Sequence, residues 1–311
     1  LPLVTSDGRT LPRGVLTLTQ AAETFTFADI PASPALSLNR GFSAPVKITS
    51  NLSHDELRFL AARDGDPFNR WQAVQTLASA LLIENVGAVR AGGAMRQDSG
   101  LIDALAAILA DLRLEPAFVA QALAMPSEGD IARDIARDVD PESIFLARQA
   151  LRCAIGTGLG DGLRAAYIDL HDDGPYSPDA AGAGRRALKN VCLDLIAANG
   201  DAAGIALAER QYYSANNMTD RMAALATLSL HDTLERSAAL GDFYRRYEAD
   251  HLVVDKWFAL QAMIPEAGTL ARVRELAGHP AFSLANPNRV RALIGSFAQM
   301  NQTQFNRADG A

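Results

Sequence analysis

The side chains that most often bind metals and move protons, the imidazoles of histidine, are scattered through this sequence of 311 residues. A helical zinc site uses a His-x-x-x-His spacing, which places two imidazoles on one helix face with a glutamate beside them. No two histidines here are four residues apart. The sequence therefore favours histidines solvated at the surface over metal ligands. They are His54, His171, His231, His251 and His279.

A glycine-rich stretch, GTGLGDG at Gly156–Gly162, has some likeness to a phosphate-binding loop. Such a loop follows a strand, opens a helix and carries a Lys-Ser or Lys-Thr pair. Here the glycines stand at every second position, the preceding residues have a helical pattern, and no such pair follows. The stretch therefore predicts the end of a helix and a turn. The Gly-x-Ser-x-Gly motif of serine hydrolases does not occur either, so the residues themselves predict no catalytic centre.

Composition and charge narrow the class of protein. The net charge is −7, which disfavours nucleic-acid binding because an acidic surface repels phosphates. No apolar run approaches the ~18 residues of a membrane span, so no membrane contact is expected. The two cysteines, Cys153 and Cys192, lie in segments rich in leucine, alanine and isoleucine. They are expected to be reduced thiols of a cytoplasmic protein, with a disulfide as the alternative.

Recognisable helix starts occur along most of the chain. Ser53 and Glu56 have the spacing of a capping box, and four further starts place a capping side chain directly before a proline. These four are Asp66-Pro67, Asp140-Pro141, Ser177-Pro178 and Asn286-Pro287.

The first of these starts, DPFNRWQAVQTLA at Asp66–Ala78, places an Arg-Trp pair in the first turns of a helix. Trp71 falls on the apolar stripe with Val74 and Leu77, which predicts a buried core residue; a ligand platform is the alternative. Trp257 is predicted to be buried in the same way. Arg70 is predicted to pair with a carboxylate or with backbone carbonyls beside that core.

Repetition of this pattern predicts the architecture. The capped starts are separated by about one to three units of roughly 37 residues, and similar Arg/Lys-led segments begin at Arg221, Lys256 and Arg289. A period of this length is typical of stacked helix pairs. The sequence therefore predicts a mainly α fold, a right-handed superhelix (α-solenoid) of HEAT or armadillo type.

The first 50 residues have a different pattern. Val15–Thr19 and Phe25–Phe27 alternate with period two, Pro45–Thr49 reads as a last short strand, and Asp7-Gly8 is a turn signal. A few strands with one apolar face do not close a sandwich alone. We therefore expect the end of an incomplete β-sandwich at residues 1–50 and a helical repeat domain at residues 51–311, in a chain cut at both ends.

Taken in order, several stretches resemble the C-terminal portion of bacterial aminopeptidase N, a zinc metallopeptidase of the His-Glu-x-x-His type. The stretches are GFSAPVKI (41–48), DPFNRWQAVQTLA (66–78), ALKNVCLDLIA (187–197), NNMTDRMAALATL (216–228), VVDKWFALQAMIP (253–265) and HPAFSLANPNRVRALIGSFA (279–298). Each stretch alone has low specificity, whereas the ordered set covers nearly the whole chain.

The resemblance implies the end of the small β-sandwich followed by the helical domain that closes over the catalytic domain of the same polypeptide. The family's zinc ligands and catalytic glutamate match no position here, so the resemblance implies no catalytic residue, no metal and no cofactor in this chain. The chain alone is expected to be inactive. Its partners would be the catalytic domain and the peptide substrates whose access it controls, and the helical domain would stop short of the family's final helices.

Two arginines are candidates for a substrate contact in that cavity. In NPNRVRALIGSF, Arg289 or Arg291 could bind the C-terminal carboxylate of a peptide, because a planar guanidinium binds a carboxylate through two parallel hydrogen bonds. The alternative is a structural helix start, capped by Asn286, with Val290, Leu293, Ile294 and Phe297 packed inward. A different function for the whole chain is a stand-alone helical scaffold that binds protein partners on its concave face.

Overall fold

The computed structural model describes residues 3–4, 10–11, 16–30, 33–46, 48–172, 174–307 and 309–310. Near the start, three two-residue strands form an antiparallel sheet in the order β2-β1-β3. Leu3 of β1 pairs with Leu11 of β2 and with Leu36 of β3. The strands are β1 (Leu3–Val4), β2 (Thr10–Leu11) and β3 (Ala35–Leu36).

The predicted strands lie in other places. Residues 16–19, 25–27 and the described part of 45–49 contain no strand, while Val15, Lys47 and the Asp7-Gly8 turn lie outside the described residues. The period-two alternation was real, but an apolar strand face forms only where a neighbour covers it. Leu18 is 65% exposed, so nothing in the described chain covers that face.

From residue 54 onward the described chain is helical. The elements are α1 (His54–Arg63), α2 (Pro67–Arg90), α3 (Ser99–Leu109), α4 (Pro116–Leu123), α5 (Glu128–Ile135), α6 (Pro141–Gly158), α7 (Gly160–Asp169), α8 (Ala180–Ile196), α9 (Ala202–Ser214), α10 (Met218–Ser229), α11 (Leu234–Tyr247), α12 (His251–Ala262), α13 (Thr269–Ala277), α14 (Pro287–Val290), a π-helical turn (Arg291–Gly295), α15 (Ser296–Met300) and α16 (Gln302–Phe305).

Four of the five predicted helix starts are confirmed. Ser53 and Glu56 form the reciprocal capping box, and Asp66, Asp140 and Asn286 each cap a helix that begins with proline.

The start at Ser177-Pro178 was wrong, because α8 begins at Ala180 with Asp179 as its cap. The Asp179 carboxylate accepts from the backbone N–H of Gly182 at 2.7 Å, and a negative charge suits the positive end of a helix. Ser177 instead donates its hydroxyl to that carboxylate.

Arg70 and Arg221 show what the repeated basic position does. Each lies four residues after a capping residue, and each reaches back to the end of the preceding helix. Arg70 donates to the carbonyls of Ala61 and Ala62 at 2.9 and 3.3 Å. Arg221 donates to the carbonyl of Tyr212 at 3.2 Å and to that of Ala215.

The last carbonyls of a helix have no partner within the helix, so these guanidinium groups satisfy them and fix one helix against the next. Arg70 also pairs with Asp111 at 2.9 Å. The prediction of a carbonyl and carboxylate partner is therefore confirmed for Arg70.

The two tryptophans differ. Trp257 is 8% exposed and donates its indole N–H to the carbonyl of Leu240 at 2.9 Å, so its predicted burial is confirmed. Trp71 is only half-buried, and the prediction of a core position was wrong. The buried stripe of α2 runs through Arg70, Val74 and Leu77, which leaves Trp71 at its edge. There its ring lies 5.7 Å from that of Phe68, centroid to centroid.

The glycine-rich stretch is a helix end and a turn, as predicted, because α6 ends at Gly158 and α7 begins at Gly160. Gly156 has a packing role. A Cβ atom there would lie 2.2 Å from the carbonyl oxygen of Leu195, so glycine allows α6 and α8 to approach closely.

Both cysteines are free thiols, as predicted. Cys192 is fully buried, and burial raises the pKa of its thiol to about 12. Cys153 is half-buried, with its sulfur 3.4 Å from the carbonyl oxygen of Ala198.

These environments predict selective thiol labelling. At pH 8 in the folded chain, a disulfide reagent such as DTNB should modify Cys153 at least about tenfold faster than Cys192, because the thiolate is the reactive form. In denaturant both should react at similar rates. Mass spectrometry of the labelled peptides measures the difference, and equal rates in the folded chain would contradict the buried position of Cys192.

Candidate functional site

The segment that carries the two candidate arginines begins at a capped helix start. The side-chain oxygen of Asn286 accepts from the backbone N–H groups of Asn288 and Arg289 at 3.0 and 3.4 Å. From Pro287 the chain passes through α14, the π-helical turn and α15 with helical dihedral angles at both junctions. One continuous rod therefore positions Arg289 and Arg291.

The predicted inward face of this rod is correct in part. Leu293 and Phe297 are buried and Val290 is half-buried, whereas Ile294 is 41% exposed. The inward prediction for Ile294 was wrong because a π-helical turn holds more residues than an α turn and shifts the faces of the helix. Asn286 and Pro287 form the helix start as expected.

Arg289 is an internal anchor. Its side chain is 3% exposed, and its Nε lies 3.2 Å from Oδ1 of Asp255 on α12. The guanidinium also stacks over the ring of Phe258 at 5.2 Å. Its Nη1 is buried and has no hydrogen-bond partner in the described part of the chain. This side chain ties α14 to α12.

Arg291, two residues further on, is exposed. Its Nη1 lies 3.5 Å from the side-chain oxygen of Asn288, a long contact with an uncharged group. Of the two candidates, Arg291 presents its guanidinium to solvent, whereas Arg289 does not.

A cluster of aromatic side chains packs close to this segment. The imidazole of His279 packs at 4.9 Å from the ring of Tyr244, at 5.4 Å from Trp257 and at 5.9 Å from Phe258. His279 is half-buried in this cluster, so the expectation of a solvated histidine was wrong here.

His231 is also half-buried, and burial lowers the pKa of its imidazole. The other three histidines, His54, His171 and His251, are exposed as predicted.

The described residues do not fit a metal centre, because no group of three or more His, Cys, Asp or Glu side chains among them lies close enough to share an ion. What the arrangement offers is one solvent-facing guanidinium on a firmly anchored turn. Sequence reasoning found both arginines but missed Asp255 and Phe258, which decide between them. Only the packing of α14 on α12 brings these side chains together, so no local pattern indicates them.

None of the helices in the described part of the chain combines the length and the apolar character that crossing a membrane requires.

Comparison with known families divides the chain in two. A family model described as "Domain of unknown function (DUF3458_C) ARM repeats" matches residues 54–311, and one described as DUF3458, with an Ig-like fold, matches residues 1–51. The mainly α repeat architecture predicted from the sequence, preceded by a β module, is thereby confirmed.

Similar proteins cover the chain from end to end. Aminopeptidase N of Caulobacter vibrioides is 39% identical over 312 residues, which are 99% of this chain and 36% of the relative. Aminopeptidase N of Escherichia coli is 34% identical over 319 residues, which are 100% of this chain and 36% of the relative.

A solved structure is also similar over nearly the whole chain. The crystal structure of Legionella pneumophila aminopeptidase A in complex with aspartic acid matches with a TM-score of 0.83 at 27% identity, covering 99% of this chain and 37% of that one. The chain thus spans little more than a third of the length of these similar proteins. It belongs to the DUF3458_C family of ARM-repeat domains, carries the Ig-like DUF3458 module ahead of them, and corresponds to the C-terminal part of aminopeptidase N.

Proposed function

We propose that this chain is a non-catalytic region of a zinc-dependent aminopeptidase, in which it caps the active-site cavity and controls which peptides enter. The observation that carries the proposal is the similarity to aminopeptidase N along the whole chain, over only 36% of the relatives' length. This similarity favours the cap over a stand-alone scaffold. The remaining part of the longer protein, called the parent enzyme below, would be its intramolecular partner.

Zinc and the hydrolytic chemistry would belong to the rest of the parent enzyme. The described residues of this chain hold no suitable ligand cluster, so no step of the reaction is assigned to them. Their contribution would be a wall: stacked helices exclude folded chains and admit short peptides. The two free thiols fit a reducing compartment, which supports a cytoplasmic location.

Within that wall, Arg291 is proposed to bind the C-terminal carboxylate of a short peptide. Its guanidinium is exposed, whereas Arg289 is held by Asp255 and Phe258. A guanidinium also suits the two-pronged geometry of a carboxylate. Arg289 would act indirectly, by fixing the turn that presents Arg291.

This assignment predicts a substrate-dependent loss of activity. In the parent enzyme, Arg291→Ala should lower kcat/KM on a tripeptide by about tenfold or more, which corresponds to ~1.5–3 kcal/mol for a charged hydrogen bond. On an aminoacyl-anilide, which lacks the carboxylate, kcat/KM should not change. Arg210→Ala, at an exposed arginine on α9, is the matched control.

An equal change on both substrates would leave Arg291 without this role. A loss on the tripeptide that Arg210→Ala reproduces would indicate a general charge effect instead.

A further inference from the structure

A cavity of about 780 Å³ lies between α3, α4, α7 and α8, beside the turn that joins α6 to α7. Its walls are largely aliphatic and include Leu109, Leu114, Val119, Leu170 and Leu188. A volume of this size accommodates a small organic molecule, since ligand pockets span roughly 300–1,000 Å³. Neither Arg289 nor Arg291 lines this cavity.

Glycines form part of the cavity wall. Gly158, Gly160 and Gly162 all line it. A Cβ atom added at Gly160 would meet no atom within 4 Å, and its backbone would tolerate one. At the rim, Leu112 is 97% exposed, an apolar side chain with no cover in the described chain. The cavity therefore offers unoccupied apolar surface to a ligand.

The charged side chains that line the cavity are all acidic: Asp111, Asp161 and Asp169. The guanidinium groups of Arg70 and Arg113 lie 2.9 and 2.8 Å from Asp111, so its charge is already balanced. Asp161 and Asp169 are exposed and have no ion pair among the described contacts. Two carboxylates thus remain available to a cation.

Helix ends of both polarities surround the cavity. The cavity is lined by the last residues of α3 at Leu109, of α6 at Gly158 and of α7 at Asp169. The C-terminal end of a helix carries about half a negative charge from its unpaired carbonyls. The first residues of α7 at Gly160 and of α4 at Pro116 also line the cavity, and the positive ends of these helices offset part of this field. The preference for a cation therefore rests mainly on the two available carboxylates.

We propose that this cavity binds a small organic cation, an ammonium group on an aliphatic or aromatic body. The body lies against the leucines and the valine, and the ammonium group faces Asp161 or Asp169. These carboxylates lie about 12 Å apart along α7, so one of the two makes the contact. A bare metal ion does not fit, because no cluster of ligands forms among the described residues.

The proposal is tested by calorimetric titration of the 311-residue chain with 2-phenylethylammonium. Saturable one-to-one binding is expected, weakened by added salt because partly exposed charges are screened. The neutral isostere 2-phenylethanol should bind at least about tenfold more weakly, since it keeps the apolar body and loses the charge.

Three variants locate the site. Asp161→Asn or Asp169→Asn should weaken binding about fivefold or more, and Gly160→Leu, which places a bulky side chain at the cavity wall, should also weaken it. Asp103→Asn is the control, because this exposed carboxylate on α3 does not line the cavity. Far-UV circular dichroism confirms that each variant is folded.

Equal affinity for the ammonium and the alcohol would overturn the proposal. So would unchanged binding in both aspartate variants, or no saturation up to ~20 mM, the weak end of specific ligand binding. The result does not depend on the proposed function, because it is measured on this chain without peptide hydrolysis.

Discussion

Replacing Trp257 with alanine is expected to lower the free energy of unfolding by about 3–5 kcal/mol, the range for truncation of a buried aromatic residue. The ring lies between Tyr244 at 4.8 Å and Phe258 at 5.1 Å, centroid to centroid. Its N–H donates a further hydrogen bond to the carbonyl oxygen of Leu240 in α11. The loss therefore combines a cavity with a lost hydrogen bond between α12 and α11.

Trp71 provides the comparison, because the same truncation at a half-buried position should cost less, about 1–2 kcal/mol. Urea denaturation followed by circular dichroism measures both variants against the original chain. Losses of the same size would contradict the difference in burial that the structure shows. A change in the slope of the transition would indicate that folding is no longer two-state.

Asp220→Ala is expected to cost about 3–5 kcal/mol, because it leaves the ammonium group of Lys189 buried without a counter-charge. The two side chains are 7% and 6% exposed, with Nζ and Oδ2 2.6 Å apart. Asn190 and Asn217 donate to the same carboxylate at 2.9 and 3.1 Å. The pair joins α8 to α10 in the middle of the repeat array.

The double variant Lys189→Met with Asp220→Leu separates two effects: the loss of the attraction within the ion pair and the burial of an unpaired ammonium group. It should recover part of the stability, because no charge is left buried and unpaired, although the amides of Asn190 and Asn217 lose an acceptor. Chemical denaturation of Lys189→Met, Asp220→Leu and the double variant gives the coupling energy. A double variant as unstable as Asp220→Ala would contradict this explanation.

The helices could be predicted from the sequence because their signals are local. A capping side chain, a proline at the first helical position and an apolar stripe lie within a few residues of one another, as at Asp66 and Asn286. Ser177 shows the limit: two capping residues stand close together, and contacts with Arg186 and Gly182 determine which of them is used.

The strands and the edges of helix faces depend on distant residues. Period-two alternation at residues 16–19 indicated a strand, yet pairing requires a neighbour that this segment does not have in the described chain. Trp71 has the right spacing for the core, but a stripe centred on Arg70 leaves it at the margin. Ile294 faces outward because of a π-helical turn that no sequence pattern predicted.

In the candidate site, too, the local features were predictable from the sequence and the long-range contacts were not. Its two arginines were predictable by type and position, whereas the choice between them was not. Arg289 and Asp255 are 34 positions apart in the chain, and their ion pair exists only because α14 packs on α12. The cavity beside Gly160 has the same origin, since its walls come from five separate helices.

The proposed function rests on association of this chain with the rest of a parent aminopeptidase. The most direct measurement produces the two parts as separate polypeptides, mixes them, and records complex formation by light scattering together with hydrolysis of a tripeptide. We expect this chain alone to show no turnover, and the mixture to form a one-to-one complex that cleaves the tripeptide with the specificity of the intact enzyme. Turnover by this chain alone, or a folded, zinc-loaded remainder that neither binds this chain nor changes its specificity in its presence, would contradict the account.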